Sequence, residues 1–527
     1  MRMEIKTFFP LGLLAVSACT GGAGVEKKTP NILIAIADDQ SFPYAGAYGC
    51  DWIRTPAFDR VAREGLLFSN CYTPNSKSAP SRACLLTGRY SWQLEEAANH
   101  IGYWPDGKYP TIFEVLKNNG YATAFTGKGW APGIPGITSD GQPRRLTGEP
   151  FAKCKLEPPT PYITNTDYAA NFKDFVANKP EGRPWAFWCG SREPHRPYEY
   201  ASGRVKGGKS TEQVDYVPSY WPDDEVVRTD MLDYAFEIEH FDSHVQEIIN
   251  TLEEIGELDN TIIIYTADNG MPFPRRKGFT YEHSVHLPMA IMWPKGIRNP
   301  GRTISKYISL VDIAPTILKI VGLSAQSVNM DPSGTEMTDI FSGKNRHRRK
   351  YLLFGQERHD YGRPNNQGYP ARSILCDGYL YINNLKPNLW PSCDPETGYL
   401  NTDGSPVKTE ILNLRRNGID TVRWHLSFGK RPAEELYHID RDPECLVNLA
   451  EDPSLQPFKN RLHKILWSHL ERQKDPRITG DGDIFDSYPF DEQADFYFYE
   501  RYIAGETDSL QTLTWVNGSD YEPLPFK

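Results

Sequence analysis

Apolar residues occur along the chain in short runs that alternate between strand-like and helical spacing. The run Asn31–Ala37 is continuously apolar after its first residue, which is typical of a strand buried on both faces. Residues 56–67 and 230–254 instead carry apolar side chains at helical spacing. Further helices are predicted at 111–119, 168–177 and 311–321, and further strands at 121–126, 185–189, 261–265 and 288–293. This alternation predicts an α/β fold with a mostly parallel sheet and helices on both faces.

The pattern changes after about residue 341. Residues 344–350 are polar and basic, which indicates a linker or a surface loop. Antiparallel strands are then predicted at 351–354, 372–384 and 435–439, followed by a helix at 453–472. We therefore expect a large α/β domain over residues 28–343 and a smaller α+β subdomain with an antiparallel sheet over 350–475. The acidic, aromatic tail 476–527 shows no clear period, and its role is not predicted.

The N-terminus has the pattern of an export signal. Two basic residues precede the apolar run 8–16, and small residues lead to Cys19. The run is too short to span a bilayer. Because Val16-Ser17-Ala18-Cys19 resembles a bacterial lipobox, we predict a lipoprotein signal peptide at 1–19 and a lipid anchor as the only membrane contact. This places the protein in the periplasm or on the cell surface of a Gram-negative bacterium. The alternative is an ordinary signal peptide that contains a cysteine.

Composition narrows the partners only slightly. The 527-residue chain has a formal net charge of -10, which disfavours binding to nucleic acid because such binding needs a basic face. An anionic substrate is still compatible, since a few lysines and arginines can reverse the field inside one cleft. No CxxC pair occurs, which disfavours a zinc site, and the cysteine spacing does not indicate any disulfide pairing. The oligomeric state is not predicted.

Polar residues with oxygen ligands follow two of the predicted strands. Asp38 and Asp39 end the first strand, and Asp268 and Asn269 follow the strand near residues 261–266. Ligands of open α/β sheets bind at the carboxyl ends of strands. Carboxylate and amide oxygens are the ligands that Ca²⁺ and Mg²⁺ prefer, so these residues are candidates for a metal site. The alternative is that they only form turns and helix caps.

The segment Ser78–Arg89 has the pattern of a helix start. Proline and serine occur in its first turn, and residues 83–86 supply an apolar face. The N-terminus of a helix with Arg82 nearby favours an anion.

This segment resembles the signature of the type I, formylglycine-dependent sulfatases: Cys or Ser, any residue, Pro, Ser, Arg, and a Thr-Gly-Arg ending. The resemblance extends through most of residues 29–450, including Leu310–Thr316 and Asp442-Pro443-Glu444. It implies an alkaline-phosphatase-like fold. It also implies that Ser78 is oxidised to formylglycine by a serine-type sulfatase maturase.

The resemblance further assigns a role to each matching residue. Ca²⁺ would be held by Asp38, Asp39, Asp268 and Asn269. Formylglycine at position 78 would hydrate to a diol, one hydroxyl of which attacks sulfur while the other later expels sulfate. Arg82 would steady the formylglycine alkoxide, and Lys128 would bind sulfate.

Two more roles concern the leaving group and the far side of the sulfate. His195 would protonate the leaving group, a task that suits a side chain with a pKa near neutrality. Lys277 would be the second sulfate-binding cation, with Arg275 or Arg276 as alternatives. The chain departs from the family pattern at Trp130, where the Gly-Lys-x-His motif has histidine. His100 or another nearby histidine is a candidate substitute.

Within the family, shorter segments resemble the heparan sulfamidases (N-sulfoglucosamine sulfohydrolases). These segments are 268–274, 194–196 and 369–373, together with Gln356 and His359. The resemblance implies removal of the N-linked sulfate of glucosamine in heparan or heparin saccharides. His359 and Arg372 are then candidates for a contact with a uronate or a sulfate. Arg372 has an alternative role in an internal pair with a carboxylate.

Three other functions remain open at this point. The first is an exo-O-sulfatase, for example one acting on glucosamine 6-O-sulfate, because the same core motif serves O- and N-sulfate. The second is a phosphatase-like hydrolase of the same superfamily, which Ser78 and its signature disfavour. The third is a non-catalytic glycan-binding lipoprotein, which the loss of a metal ligand or of the Pro80–Arg82 run would support; neither loss is present.

Overall fold

The computed structural model describes residues 29–344, 346, 349–492, 496–507, 515–524 and 526. Its strands, in chain order, are β1 Asn31–Ala37, β2 Leu66–Tyr72, β3 Gly102–Tyr103, β4 Ala122–Gly127, β5 Gly133–Ile134, β6 Glu149–Pro150, β7 Trp185–Gly190, β8 Thr261–Ala267, β9 His286–Met292, β10 Arg302–Ile304, β11 Ile308–Ser309, β12 Tyr351–Gln356, β13 Ala371–Cys376, β14 Tyr379–Asn384 and β15 Glu434–His438.

The α-helices, in chain order, are α1 Pro56–Glu64, α2 Ser78–Thr87, α3 Ile112–Asn118, α4 Tyr168–Asn178, α5 Ser202–Val205, α6 Glu225–Glu254, α7 Glu282–Val285, α8 Ile313–Val321, α9 Thr338–Phe341, α10 Pro406–Arg416, α11 Val422–Phe428, α12 Gln456–Arg472, α13 Pro476–Thr479, α14 Ile484–Ser487 and α15 Phe498–Ile503.

A large, mostly parallel sheet forms the centre of the molecule. Its strand order is β10-β2-β9-β8-β1-β7-β4-β6, and β11 also pairs with β2. Every pairing in it is parallel except the two that β9 makes with β2 and β8. All residues of β1, β7, β8 and β9 are buried, which requires that both faces of the sheet are covered. The predicted α/β fold is confirmed.

A second, antiparallel sheet follows in the chain, with the order β12-β13-β14-β15. The hairpin of β13 and β14 pairs Cys376 with Tyr379 at its turn, and helix α12 packs on both of these strands. The predicted smaller unit with an antiparallel sheet is therefore also confirmed.

The structure corrects several details of the predicted elements. The helical pattern of 56–67 ends earlier, because α1 ends at Glu64 and residues 66–72 form β2. Strand β9, for which the pattern predicted no direction, runs antiparallel to both of its neighbours. Helix α6 begins five residues before the predicted start at 230, since Asp224 caps it.

Both chain ends concern predictions made above. The predicted signal peptide, including Cys19, lies outside the described residues, and no helix within the described ranges is long and apolar enough to cross a bilayer. The described parts of the tail form α13, α14, α15 and a short 3₁₀ turn at 518–520. The cysteines of the described residues are free thiols.

The assignment of Asp224 as the cap of helix α6 can be tested by mutation. The Asp224 side chain accepts a hydrogen bond from the Val227 N–H at 2.9 Å, so Asp224→Ala leaves a helix donor without its partner. We expect a loss of about 1 kcal/mol in the free energy of unfolding, measured by urea denaturation. The neighbouring Asp223→Ala is the control, because Asp223 makes only an exposed ion pair with Arg228 and its loss costs less than about 1 kcal/mol. Equal losses in both variants would contradict the assigned cap.

Candidate active site

The register of two central strands brings the strand-end carboxylates together. Strands β1 and β8 pair in parallel with Ala37 opposite Ala267, so Asp38 and Asp268 leave the sheet side by side. The Asp39 N–H donates to Asp268 Oδ1 at 3.0 Å. Oxygens of Asp38, Asp39 and Asp268 all lie within 4.8 Å of one another, and all three residues are buried. The residues predicted from the strand ends therefore form one cluster, which we call the carboxylate cluster.

Ser78 lies beside this cluster at the first residue of α2. Its Oγ donates to Asp38 Oδ1 at 3.0 Å and is 3.4 Å from Asn269 Oδ1. Helix α2 is buried along its whole length, and Ser78 itself is only 1% exposed. The helix ends at Thr87. The next residue, Gly88, has a left-handed backbone (φ 72°) that lets its N–H bond to the Cys84 carbonyl. The position predicted as a modified nucleophile is thus in direct contact with two predicted metal ligands.

Arg82, one turn along α2, joins the carboxylate cluster to the backbone that follows β4. Its Nε donates to Asp268 Oδ2 at 2.8 Å, and its Nη1 donates to the carbonyls of Lys128 and Gly129 at 2.9 and 3.0 Å. Burial, with the neighbouring carboxylate of Asp38, raises the pKa of Asp268 to about 6, although Arg82 opposes this shift. The guanidinium therefore stabilises a carboxylate that burial would otherwise protonate.

Lys128 neutralises the other strand-end carboxylate. Its Nζ lies 2.7 and 2.9 Å from the two oxygens of Asp38. Burial alone would raise the pKa of Asp38, but Lys128 and Arg82 outweigh it, so the pKa lies well below its usual value. Asp38 is consequently held as an anion.

Lys277 and His195 form the opposite side of the site. Lys277 Nζ donates to Asp39 Oδ2 at 2.7 Å and lies 3.0 Å from His195 Nε2. The His195 Nδ1 is 2.7 Å from the Arg196 carbonyl, which requires a proton on Nδ1 and leaves Nε2 as the acceptor from Lys277. The side chain of His195 is 31% exposed, far more than its neighbours, so it borders the opening of the site.

The loop that carries His195 is fixed to helix α6. Arg196 makes a bidentate ion pair with Asp230 at 2.8 and 2.7 Å, and its Nε donates to the Pro272 carbonyl at 2.8 Å. Both contacts are buried. The histidine is therefore positioned by a rigid support rather than by its own loop.

The neighbours of Lys277 point away from the carboxylates. Arg275 donates to the carbonyls of Leu426 and Cys445, and the Arg276 guanidinium lies over the Trp221 ring at 5.3 Å. Among the three cations that the sequence left open, Lys277 is the one that contacts the cluster.

Trp130 has a structural contact where the family pattern has histidine. Its indole N–H donates to the Ala79 carbonyl at 2.8 Å, in the first turn of α2. An indole N–H can donate a hydrogen bond but cannot accept one. His100, the suggested substitute, bonds instead to the His359 carbonyl at 3.0 Å, and burial lowers its pKa to about 4.

The two residues predicted to contact substrate, His359 and Arg372, are both buried. His359 is buried, with Nε2 at 3.1 Å from Asn75 Oδ1. Arg372 is 0% exposed and forms a two-pronged pair with Asp475 at 2.6 and 2.9 Å, together with Glu357 at 2.5 Å. The structure therefore contains the internal ion pair that was the alternative role of Arg372, and its contact with substrate stays a prediction.

Sequence reasoning missed a second group of charges beside the site. Asp403 Oδ2 accepts a hydrogen bond from Lys277 at 3.1 Å, and Lys77, the residue before Ser78, pairs with Asp360 at 2.7 Å in a buried contact. Asp403 lies between β14 and α10 in a stretch without periodicity, so the sequence offered no signal for it. The basic residue before the signature was the only available hint of the Lys77 pair.

The mostly parallel sheet, with a helix start, carboxylates and cations gathered beside the ends of β1 and β8, defines a hydrolase of the alkaline-phosphatase-like architecture. The chain belongs to the Sulfatase family, because the model of that family matches residues 30–323, which is more than half of the chain. A second family model, "N-sulphoglucosamine sulphohydrolase, C-terminal", matches residues 273–379. The protein is accordingly a sulfuric ester hydrolase.

Relatives with different printed activities resemble the chain to similar degrees. The N-acetylglucosamine-6-O-sulfatase of Bacteroides thetaiotaomicron is 27% identical over 60% of this chain and 72% of its own. The human N-sulphoglucosamine sulphohydrolase is 26% identical over 83% of this chain and 90% of its own. A solved sulfatase structure in complex with D-glucosamine-2-N,6-O-disulfate superposes with a TM-score of 0.58 at 20% identity, covering 85% of this chain and 99% of that one. This last likeness concerns the fold alone.

The buried ion pairs of Arg372 predict that replacing this residue lowers stability strongly. We expect Arg372→Leu to lower the free energy of unfolding by about 3 to 5 kcal/mol, because the buried carboxylates of Asp475 and Glu357 lose a partner. Arg461→Leu is the matched control: its pair with Asp377 is exposed on both sides and should contribute less than about 1 kcal/mol. Urea denaturation measures both. An Arg372→Leu enzyme with normal stability but weakened substrate binding would instead support the predicted contact of Arg372 with substrate.

Proposed function

We propose that this sulfatase removes the N-linked sulfate of glucosamine in heparan or heparin saccharides, using a formylglycine made from Ser78 and a bound Ca²⁺. The observation that carries the chemistry is the contact of Ser78 Oγ with Asp38 and Asn269, flanked by Arg82, Lys128 and Lys277. The match of residues 273–379 to the C-terminal part of N-sulphoglucosamine sulphohydrolases supports the choice of substrate.

The residues around the carboxylate cluster fit a hard cation. Asp38, Asp39, Asp268 and the Asn269 side chain offer only oxygen ligands, and they lie in a buried site where uncompensated carboxylates are costly. These four residues would hold Ca²⁺. Bound there, the ion would withdraw electron density from a sulfate oxygen and balance the charge of the carboxylates.

Formylglycine at position 78 would supply, as a hydrated aldehyde, both the nucleophile and the route by which sulfate is released. The chain provides a suitable surrounding for it. The position is the first residue of a buried helix, and the cations Arg82 and Lys128 lie close to it. A helix N-terminus and fixed cations stabilise negative charge at such a site.

The cations would bind and orient the substrate sulfate. Lys128 and Lys277 approach the carboxylate cluster from different sides, through Asp38 and Asp39 respectively. Their ammonium groups would neutralise charge that develops on the sulfate oxygens. Because each lysine is already held by a carboxylate, little reorganisation is needed when the substrate binds.

His195 would donate a proton to the leaving group. It borders the opening of the site, where the sugar would lie, and its Nε2 faces inward toward Lys277. Its Nδ1 is fixed by the Arg196 carbonyl, so Nε2 is the nitrogen that would first take up a proton and then transfer it. The leaving nitrogen of a sulfamate would receive its proton there.

An exo-O-sulfatase is the second candidate function. The relative from Bacteroides thetaiotaomicron with a printed 6-O-sulfatase activity is as similar to this chain as the human N-sulfatase is, at 27% against 26% identity. The carboxylate cluster and its cations would contact the sulfate group rather than the atom that bears it, so they would serve both reactions.

The proposal includes export and maturation. The segment 1–19 supports a lipoprotein signal, with Cys19 as the anchor of a periplasmic or cell-surface enzyme. Ser78 in the signature supports a serine-type maturase as a partner. Sulfated glycans are the remaining partner class.

Sulfate release from two sugars tests the proposed reaction. The full chain, co-produced with a serine-type maturase, should release sulfate much faster from N-sulfoglucosamine than from glucosamine 6-sulfate. Mass spectrometry should show that Ser78 has lost two hydrogen atoms, and Ser78→Ala should be inactive on both sugars. Release from the 6-sulfate alone would keep the family and replace the proposed substrate. No release from either sugar by converted enzyme would contradict the proposed function.

Thermal unfolding tests the metal site without an activity assay. Ca²⁺ at about 100 times its dissociation constant should stabilise the chelator-treated protein by about 2.7 kcal/mol. Asp39→Asn should abolish most of this shift. Asparagine tolerates the positive φ of 73° at this position, and Lys277 retains Asp403 as a partner. Asp331→Asn is the control, since Asp331 pairs with Arg89 on the surface. An equal shift in both variants would place the ion elsewhere.

A further inference from the structure

A buried carboxylate from the C-terminal half of the chain lies on the leaving-group side of the site. Oxygens of Asp403 and Asp39 and a ring nitrogen of His195 all lie within 4.8 Å of one another. Asp403 is 5% exposed. It therefore lies beside the residue that we expect to protonate the leaving atom.

Lys277 accounts for only one of the two Asp403 oxygens. Its Nζ donates to Oδ2 at 3.1 Å, and it also donates to Asp39. Among the described residues, the structure gives Asp403 Oδ1 no hydrogen-bond donor. Burial alone would raise the pKa of Asp403, but Lys277, Lys77 and His195 outweigh it and hold the pKa below its usual value. An anionic acceptor thus remains beside His195.

The segment that carries Asp403 is held by a buried lysine. Lys408, in α10, donates to the carbonyls of Gly398 and Thr402 at 2.8 and 2.7 Å. Its charge is balanced by Asp520 at 3.0 Å, and both side chains are 0% exposed. The carbonyl of Thr402 immediately precedes Asp403, so this contact fixes the backbone at that point.

A second set of contacts comes from the same part of the tail. The Gly404 N–H donates to the Trp515 carbonyl at 2.7 Å, and the Trp515 indole N–H donates to the Leu400 carbonyl at 3.1 Å. We call the described residues 515–520 the C-terminal clamp. It brackets Asp403 on both sides along the chain.

We propose that Asp403 is a specificity-determining residue, which accepts a hydrogen bond from the bridging N–H of a sulfamate and so favours N-sulfated over O-sulfated sugars. The C-terminal clamp positions it. This inference rests on the proposed function and deepens it.

The two kinds of substrate differ at the atom that this carboxylate would meet. The bridging nitrogen of a sulfamate carries a hydrogen, whereas the bridging oxygen of a sulfate ester carries only lone pairs. A carboxylate accepts hydrogen bonds and cannot donate them when ionised. It therefore stabilises the bound sulfamate and repels the ester oxygen. His195 supplies the second proton, which the leaving nitrogen needs to depart as an amine.

The experiment compares kcat/KM for N-sulfoglucosamine and glucosamine 6-sulfate in the mature full chain and its Asp403→Asn variant. The carboxamide keeps the size of the side chain but presents an NH₂ group that can donate to an ester oxygen. We expect the ratio of the two kcat/KM values, N-sulfate over O-sulfate, to fall at least about tenfold. Asp377→Asn, at an exposed pair with Arg461, is the control and should leave the ratio unchanged.

Asp520→Asn tests the positioning role of the C-terminal clamp. Damage to the fold would lower both kcat/KM values together, so the ratio is the informative quantity. We expect the ratio to fall in the same direction as in Asp403→Asn, with the melting temperature recorded in parallel. A changed stability with an unchanged ratio would overturn the positioning role.

The outcomes separate this inference from the proposed function. A wild-type enzyme without activity on N-sulfoglucosamine overturns both. A wild-type enzyme that is active on it, with the same ratio in Asp403→Asn, overturns the role of Asp403 and leaves the proposed function intact.

Discussion

The burial of three carboxylates at the ends of two paired strands is the constraint on which the rest of the site depends. The register of β1 and β8 places Asp38 and Asp268 side by side, and Asp39 follows directly. Buried charges of one sign are tolerated only with partners. Arg82, Lys128 and Lys277 supply these partners from a helix start, a strand end and a loop. The geometry of these three cations is therefore set largely by the need to pair the buried carboxylates.

The C-terminal part of the chain completes this arrangement rather than standing beside it. Lys277 is shared between Asp39 of the first domain and Asp403 of the later segment. The antiparallel sheet is itself fixed by the buried pairs of Arg372 with Glu357 and Asp475. Lys277 thus links the end of the large sheet to the segment of Asp403, and a change at Asp39 or Asp403 alters its surroundings.

Local patterns in the sequence determined which parts could be predicted. Asp38, Asp39, Asp268 and Asn269 follow strongly apolar strands, so both their position and their convergence could be anticipated. The pairs of Arg372 with Asp475 and of Asp403 with Lys277 could not be predicted, because the partners lie more than a hundred residues apart and no periodicity connects them. The direction of β9 was also not predictable, since an apolar strand buried on both faces reads alike in either orientation. Trp130 departed from the family motif, and only the structure shows its bond to the Ala79 carbonyl.

The C-terminal clamp has a consequence for how the enzyme is made. Chains are synthesised from the N-terminus, and early domains fold while later residues are still being added. The large sheet, the carboxylate cluster and helix α2 are all encoded before residue 310. Among the described residues, however, the buried charge of Lys408 pairs with Asp520, which is synthesised long after the sheet. The C-terminal clamp can therefore hold the backbone around Asp403 only after residue 520 has been synthesised, so Asp403 is fixed later than the carboxylate cluster.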